Sequence, residues 1–149
     1  MVRKMLERMK DIVKGNDLCV LATLSEGKPH CSLMSYLSDE KCQEIYMISH
    51  KQTKKYSNLI ENPTVSLLID TREEEKSQRR INIKALTVSG EFQPIKDPGK
   101  RELIHKQFLN RHPHLADFLN DPGAAIFSIK IKSFQLLDGV KDVFFETMD

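Results

Sequence analysis

The chain has 149 residues, 40% hydrophobic and 30% charged, with 23 lysines and arginines against 21 acidic residues. That length suits one domain over residues 1–149 with a core of its own, and a net charge of +2 is too weak a bias to imply nucleic acid or a membrane as partner. No apolar run approaches the roughly 18 residues a membrane helix needs, and the charged N-terminus lacks the apolar stretch of a signal peptide, so a cytoplasmic protein is expected.

Val2, Met5, Leu6, Met9, Ile12 and Val13 recur at the i, i+3, i+4, i+7 spacing of one helical face, which Gly15-Asn16 ends. Beyond it the period changes. Short β-prone runs follow at residues 18–24, 29–37, 44–49, 64–70 and 81–95, separated by turn clusters such as Ser25-Glu26-Gly27-Lys28 and Ser38-Asp39-Glu40-Lys41. Connections this short between the early strands permit hairpins and no parallel crossover, so the sheet is expected to be mostly antiparallel. Between the third and fourth runs, Thr53 reads as the cap of a short helix with Tyr56, Leu59 and Ile60 as its buried face, stopped by Asn62-Pro63. Gly90, inside the longest run, marks a bulge or a barrel corner. Asp97-Pro98 opens a further helix, Pro113 opens another, and strands return over residues 124–138. Cys19, Cys31 and Cys42 are odd in number, lack Cys-x-x-Cys spacing and sit in apolar segments, which predicts unpaired, reduced core thiols.

This order predicts a mainly β protein, a small antiparallel barrel with flanking helices. The runs LCVLATL and TVSLLID are apolar at nearly every position, the pattern of strands covered on both faces. The chain's helices can supply one cover. The other comes either from a second subunit or from more of the same helices.

The usual catalytic signatures are missing. There is no Gly-x-Gly-x-x-Gly, no phosphate-binding Walker loop, no nucleophile elbow around Ser89-Gly90 and no His-Glu-x-x-His. His112-Pro-His114 offers two imidazoles without a nearby cysteine, which reads as a surface loop and not a metal site, and Glu73, Glu74 and Glu75 read as a solvated loop. No catalytic side chain is assigned. What stands out is Thr53-Lys54-Lys55, which places two lysines in the first turn of a helix, where the positive end of the helix dipole disfavours them. Free N–H groups, a hydroxyl and two ammonium groups together suit a phosphate; lysines that merely point into water are the plainer alternative.

The stretch from residue 21 to residue 70 resembles the pyridoxamine 5'-phosphate oxidase-like family of FMN-binding split barrels. The resemblance rests on Gly27-Lys28-Pro29, the strand IYMIS, Thr53-Lys54-Lys55, Asn58-Leu59 and Asn62-Pro63-Thr64-Val65, in that order and spacing, and the later ALTVSGEF also resembles the strand that follows. It covers residues 18–95 well and the remainder loosely. It implies a split β-barrel that forms a homodimer with FMN at the subunit interface. By position, Thr53, Lys54 and Lys55 would hold the phosphate, Ser49 and the backbone of Ile48 would touch the ribityl or phosphate region, and Ser32, Leu33, Met34 and Ser35 would line the isoalloxazine. Backbone groups beside Leu33 and Met34 would bond the flavin edge while their side chains pack on it.

The sequence also departs from the family. Ser32 stands where oxidase members carry a phosphate-binding arginine, with Arg72 as a candidate replacement, and Ala85 stands where they carry a glutamine. The chain has no tryptophan and ends in GVKDVFFETMD without an Arg-x-Leu-like motif, so oxidation of pyridoxamine phosphate is not expected. The resemblance implies an FMN-dependent oxidoreductase of unknown substrate, the flavin carrying the electron chemistry. The alternative is a non-enzymatic flavin, haem or deazaflavin binding protein with a stress-related role.

Overall fold

In the computed structural model, which describes residues 2–72 and 82–148 and side chains from residue 4 onward, local signals resolve in chain order. Glu73, Glu74 and Glu75, the start of the strand expected at residue 81, and the side chain of Val2 lie outside the described residues.

Helix α1 (Val2–Lys14) buries Met9, Ile12 and Val13 and half-buries Met5 and Leu6, the face its spacing predicts. Strands β1 (Leu18–Ser25) and β2 (Lys28–Ser35) form a hairpin closed by Glu26 and Gly27, at φ 52° and 74°. Two successive positive φ values are those of a type I′ turn, whose twist matches the strands it joins. Strand β3 (Leu37–Ser38) pairs with β4 (Glu44–His50); α2 (Lys54–Glu61) and β5 (Thr64–Asp70) follow. Strand β6 (Lys84–Pro94) leads to α3 (Pro98–Arg111), whose cap Asp97 accepts from Gly99 N at 3.0 Å. The helix expected at Pro113 is a 3-10 turn (Pro113–Leu115) running into a single helical turn, α4 (Ala116–Leu119). The segment from residue 124 to residue 138 is one long strand, β7 (Ala124–Asp138), and the C-terminal GVKDVFFETMD, not foreseen as regular structure, adds β8 (Asp142–Thr147).

Every pairing among the described residues is antiparallel, and the sheet order is β2-β1-β5-β6-β7-β4-β3, with β8 also on β7. The order itself shows that the sheet curls. Strands β2 and β3 lie at opposite ends of it, yet only Tyr36 separates them in the chain, and one residue spans at most about 3.6 Å. The two edges must therefore meet. Tyr36 is pinned at that corner: its N–H donates to Asp17 O at 3.1 Å, its hydroxyl donates to Val13 O at 2.5 Å, and His112 Nε2 lies 2.9 Å from its carbonyl oxygen. His112 is thus a buried clasp, contrary to the surface loop its sequence suggests.

The barrel interior holds the main core, which includes Leu21, Leu67, Leu86, Met47 and Phe134. A second core, Leu37, Tyr46, Ile48, Ile95, Ile104, Phe108 and Leu119, lies where α3 and α4 cover the outside of β4 and β7. Half-buried Glu44 ties these layers, accepting from Lys100 Nζ at 3.0 and 3.3 Å, Tyr46 Oη at 2.9 Å and Ser128 Oγ at 2.9 Å. Burial alone would push this carboxyl up; the hydrogen bonds outweigh it and hold it below its ordinary value.

Gly90 sits where the β6–β7 register shifts, as a bulge requires. A Cβ there would lie 2.6 Å from Lys130 O and 2.7 Å from Ile129 Cγ2. Backbone cannot give way as a side-chain tip can, so Gly90→Ala is expected to destabilise the protein by about 1–3 kcal/mol. Urea unfolding checks this: the midpoint should fall at unchanged slope, and an unmoved midpoint would mean the barrel corner is loosely packed.

Candidate functional site

The α2 start is built as its sequence implies. Thr53 is extended (φ −98°, ψ 155°), its Oγ1 accepts from Tyr56 N at 3.2 Å and donates to His50 O at 2.9 Å, and no acid occupies the first turn. Ser49 Oγ lies 3.2 Å from Thr53 Oγ1, with the serine only 1% exposed. Lys54 is exposed and Lys55 half-buried, and neither pairs with a carboxylate among the described residues. Burial pulls the Lys55 ammonium below its ordinary pKa. A half-buried cation without an anion at the positive end of a helix is an arrangement that an incoming anion would relieve.

The rest of the helix anchors it. Asn58 Nδ2 donates to Thr23 Oγ1 at 3.2 Å inside the barrel, Leu59 is fully buried, and the Tyr56 ring meets Phe92 and Phe127 edge-on. Ile60, expected on the buried face, is instead exposed: at eight residues the helix is short, and only its Asn58–Leu59 side packs on β1.

Strand β2 reaches β4 from the other edge of the sheet. Leu37 pairs with Tyr46 and Ser38 with Ile45, so the C-terminal end of β2, just before Tyr36, lies beside β4. Strand β2 touches β4 and, among the described residues, pairs only with β1, so the backbone groups on its outer edge have no strand partner there. Of the residues expected at the ring, Ser35 lies at the end of β2 nearest β4, and Ser32, Leu33 and Met34 lie further back along the strand.

Their side chains divide by strand alternation. Met34, opposite Cys19, turns its side chain into the main core and its backbone groups toward β1. Leu33 points out and is 71% exposed. It forms a row with Val20 and Leu68 across β2, β1 and β5, flanked by Leu18 at 49% exposure. Among the described residues no helix covers this row, and a cavity of about 960 Å³ opens over it, lined by Leu18, Val20, Leu33, Leu68 and Arg72 among others. Arg72 is 71% exposed and its Nε donates to both carboxylate oxygens of Asp70, at 3.0 and 3.1 Å, so in the single chain it is already paired.

Cys31 shares the outer face of β2 with Leu33 and is exposed, which corrects the expectation of three core thiols. Its apolar neighbours in sequence face outward with it. Burial pushes the Cys19 thiol up to about 12 and the Cys42 thiol upward too. Cys31 should therefore be the first of the three to react with a thiol reagent in the folded protein, with Cys19 and Cys42 following only after unfolding. Rapid reaction of all three would contradict the burial described.

Among the described residues no group of histidines, cysteines and acids could hold a metal ion, and no helix is long and apolar enough to cross a membrane.

Known proteins place these features. The fold is similar to that of a heme binding protein from Mycobacterium smegmatis (TM-score 0.79, 17% identity, 95% of this chain and 57% of that one). It is also similar to general stress protein 26 from Bacillus anthracis (TM-score 0.73, 20% identity, 97% and 98% covered) and to an FAD-binding protein from Mesorhizobium loti (0.69, 18%, 87% and 91%). At such identities the likeness is one of fold. No curated protein matches the sequence. A sequence profile described as pyridoxamine 5'-phosphate oxidase matches residues 5–138. As that match runs from within α1 to the end of β7 and takes in both sheet edges and the lysine turn between them, the chain belongs to the pyridoxamine 5'-phosphate oxidase family.

Proposed function

We propose that this protein is a flavin-binding member of its family that holds FMN by its phosphate at the start of α2. The observation that carries the reading is the half-buried Lys55, without a carboxylate partner among the described residues, beside Lys54 and the hydroxyls of Thr53 and Ser49. These groups fit a phosphate: two cations, hydroxyls and the open N–H groups of a helix start. Ser49 and the backbone of Ile48 would hold the ribityl end. The free outer edge of β2 at Leu33 and Ser35 would meet the ring edge. Arg72 would join only by giving up Asp70. Bound flavin would supply redox chemistry, and the chain's own part would be to orient it and set its polarity.

The uncovered Leu33, Val20 and Leu68 row supports a homodimer in which a second copy covers this face and completes the site. The activity we infer is that of an oxidoreductase acting on a small molecule in the cytoplasm, its substrate not pyridoxamine phosphate. Where the true oxidases carry their C-terminal recognition residues, this chain has β8 with Val143, Phe144 and Phe145 exposed.

Titration with FMN and riboflavin, followed by NADH or NADPH, tests the reading. FMN should bind far more tightly than riboflavin and bleach on reduction. Equal affinities would remove the phosphate role. A second reading, a haem binder without turnover, is supported by the likeness to the mycobacterial protein and by His50 at the same end of β4, its Nε2 3.8 Å from Asp121. A Soret band lost in His50→Ala would favour it.

A further inference from the structure

Strand alternation sends Ile48 to the opposite face of β4 from Ser49, and on that face lies another cavity of about 640 Å³, between the ends of β4 and β6, the start of β7, α3 and α4. Sites that take small molecules run from roughly 300 to 1,000 Å³. Its floor is apolar: Ile48, Ile95 and Leu119 belong to the second core, and Ile126 packs on it.

Its rim is cationic. Lys51 comes from the turn after β4, and α3 contributes Arg101, His105 and Lys106, with Arg101 and His105 one helical turn apart. Glu102, the acid in the lining, lies 3.8 Å from Lys106 and offsets that lysine. Lys51 and Arg101 remain without a carboxylate partner among the described residues. His105 Nε2 sits 3.3 Å from Leu119 O, tying α3 to α4 at the wall. Small residues line the start of β7 and keep the space open: Ala124 and Ala125.

Two uncompensated cations above an apolar floor match a ligand of the same divided character. We infer that this cavity binds a small organic anion with an apolar body and a doubly charged head, at a site separate from the lysine turn of α2. Tyr56 of α2 is in its lining, but Lys54 and Lys55 are not, so its cations are not those of the flavin reading. Apolar contact supplies part of the affinity and the paired cations the rest, so neither half of such a ligand should bind well alone.

Calorimetry on the full chain with phenyl phosphate, inorganic phosphate and phenol tests this. Phenyl phosphate should bind at least about tenfold more tightly than either fragment. The double variant Lys51→Gln/Arg101→Gln, which alters only exposed side chains, should lose about tenfold or more, and Ala124→Phe, which fills the cavity and keeps its charge, should abolish binding. Lys55→Met should leave it unchanged, and saturating FMN should not displace it. No binding at millimolar phenyl phosphate would overturn the inference. So would full affinity in the double glutamine variant, or displacement by FMN, which would assign the probe to the lysine turn instead.

Discussion

Replacing Lys55 with methionine is expected to weaken FMN binding by about tenfold to a hundredfold while leaving the flavin-free protein at least as stable as the parent. A charge-assisted hydrogen bond contributes roughly 1.5–3 kcal/mol, and each 1.4 kcal/mol is about a factor of ten in affinity. In the free chain the same ammonium is a burden. It is half-buried, lacks a carboxylate partner among the described residues, and stands at the positive end of α2, where a cation costs up to about 1 kcal/mol. Burial that lowers a base's pKa means that folding disfavours its charged form, so removing the ammonium should not harm stability. Methionine keeps the aliphatic stem that packs there. Fluorescence titrations with FMN and riboflavin, beside urea curves of both flavin-free proteins, give the two readouts. Unchanged FMN affinity, or a markedly destabilised variant, would mean that the lysine serves the fold instead.

Leu33→Asp should turn the proposed homodimer into a folded monomer. Leu33 is 71% exposed in the single chain, so an aspartate there costs the isolated barrel little. In a two-fold interface each substitution is present twice, and a carboxylate buried without a partner costs several kcal/mol. The dissociation constant should therefore rise by about three decades or more. The parent should bury more than about 2,000 Å² in its interface, the size of an obligate contact. Light scattering at micromolar concentration with circular dichroism decides: a monomeric parent, or a variant that stays dimeric, would place the contact elsewhere.

The two results are linked through β2. Leu33 is on the strand whose free backbone edge would meet the flavin ring in the proposed site, so a monomeric variant should also bind FMN less tightly than the parent. If only the dimer is lost and flavin affinity is retained, the cofactor site is complete in one chain.

What the sequence determined by itself is local chemistry. The Glu26-Gly27 turn, the apolar stripe of α1, the Thr53 cap with its two lysines, the Gly90 bulge and the Asp97-Pro98 start of α3 each depend on residues a few positions apart, and each stands in the structure as read. Hairpin-length connections likewise settled the antiparallel sheet. Only the tertiary structure decided which face of each strand is covered. A run such as LCVLATL is apolar on both sides, and its sequence cannot tell that α3 and α4 pack on β4 and β7 and leave Leu18, Val20, Leu33 and Cys31 outward. Barrel closure at Tyr36, the burial of His112, the pairing of β8 and the convergence of Lys51 with Arg101 are also tertiary. They join residues distant in the chain, which no periodicity relates: a pattern of period two or 3.6 fixes which side chains share a face, while the neighbour that face meets is set by how the whole sheet curls.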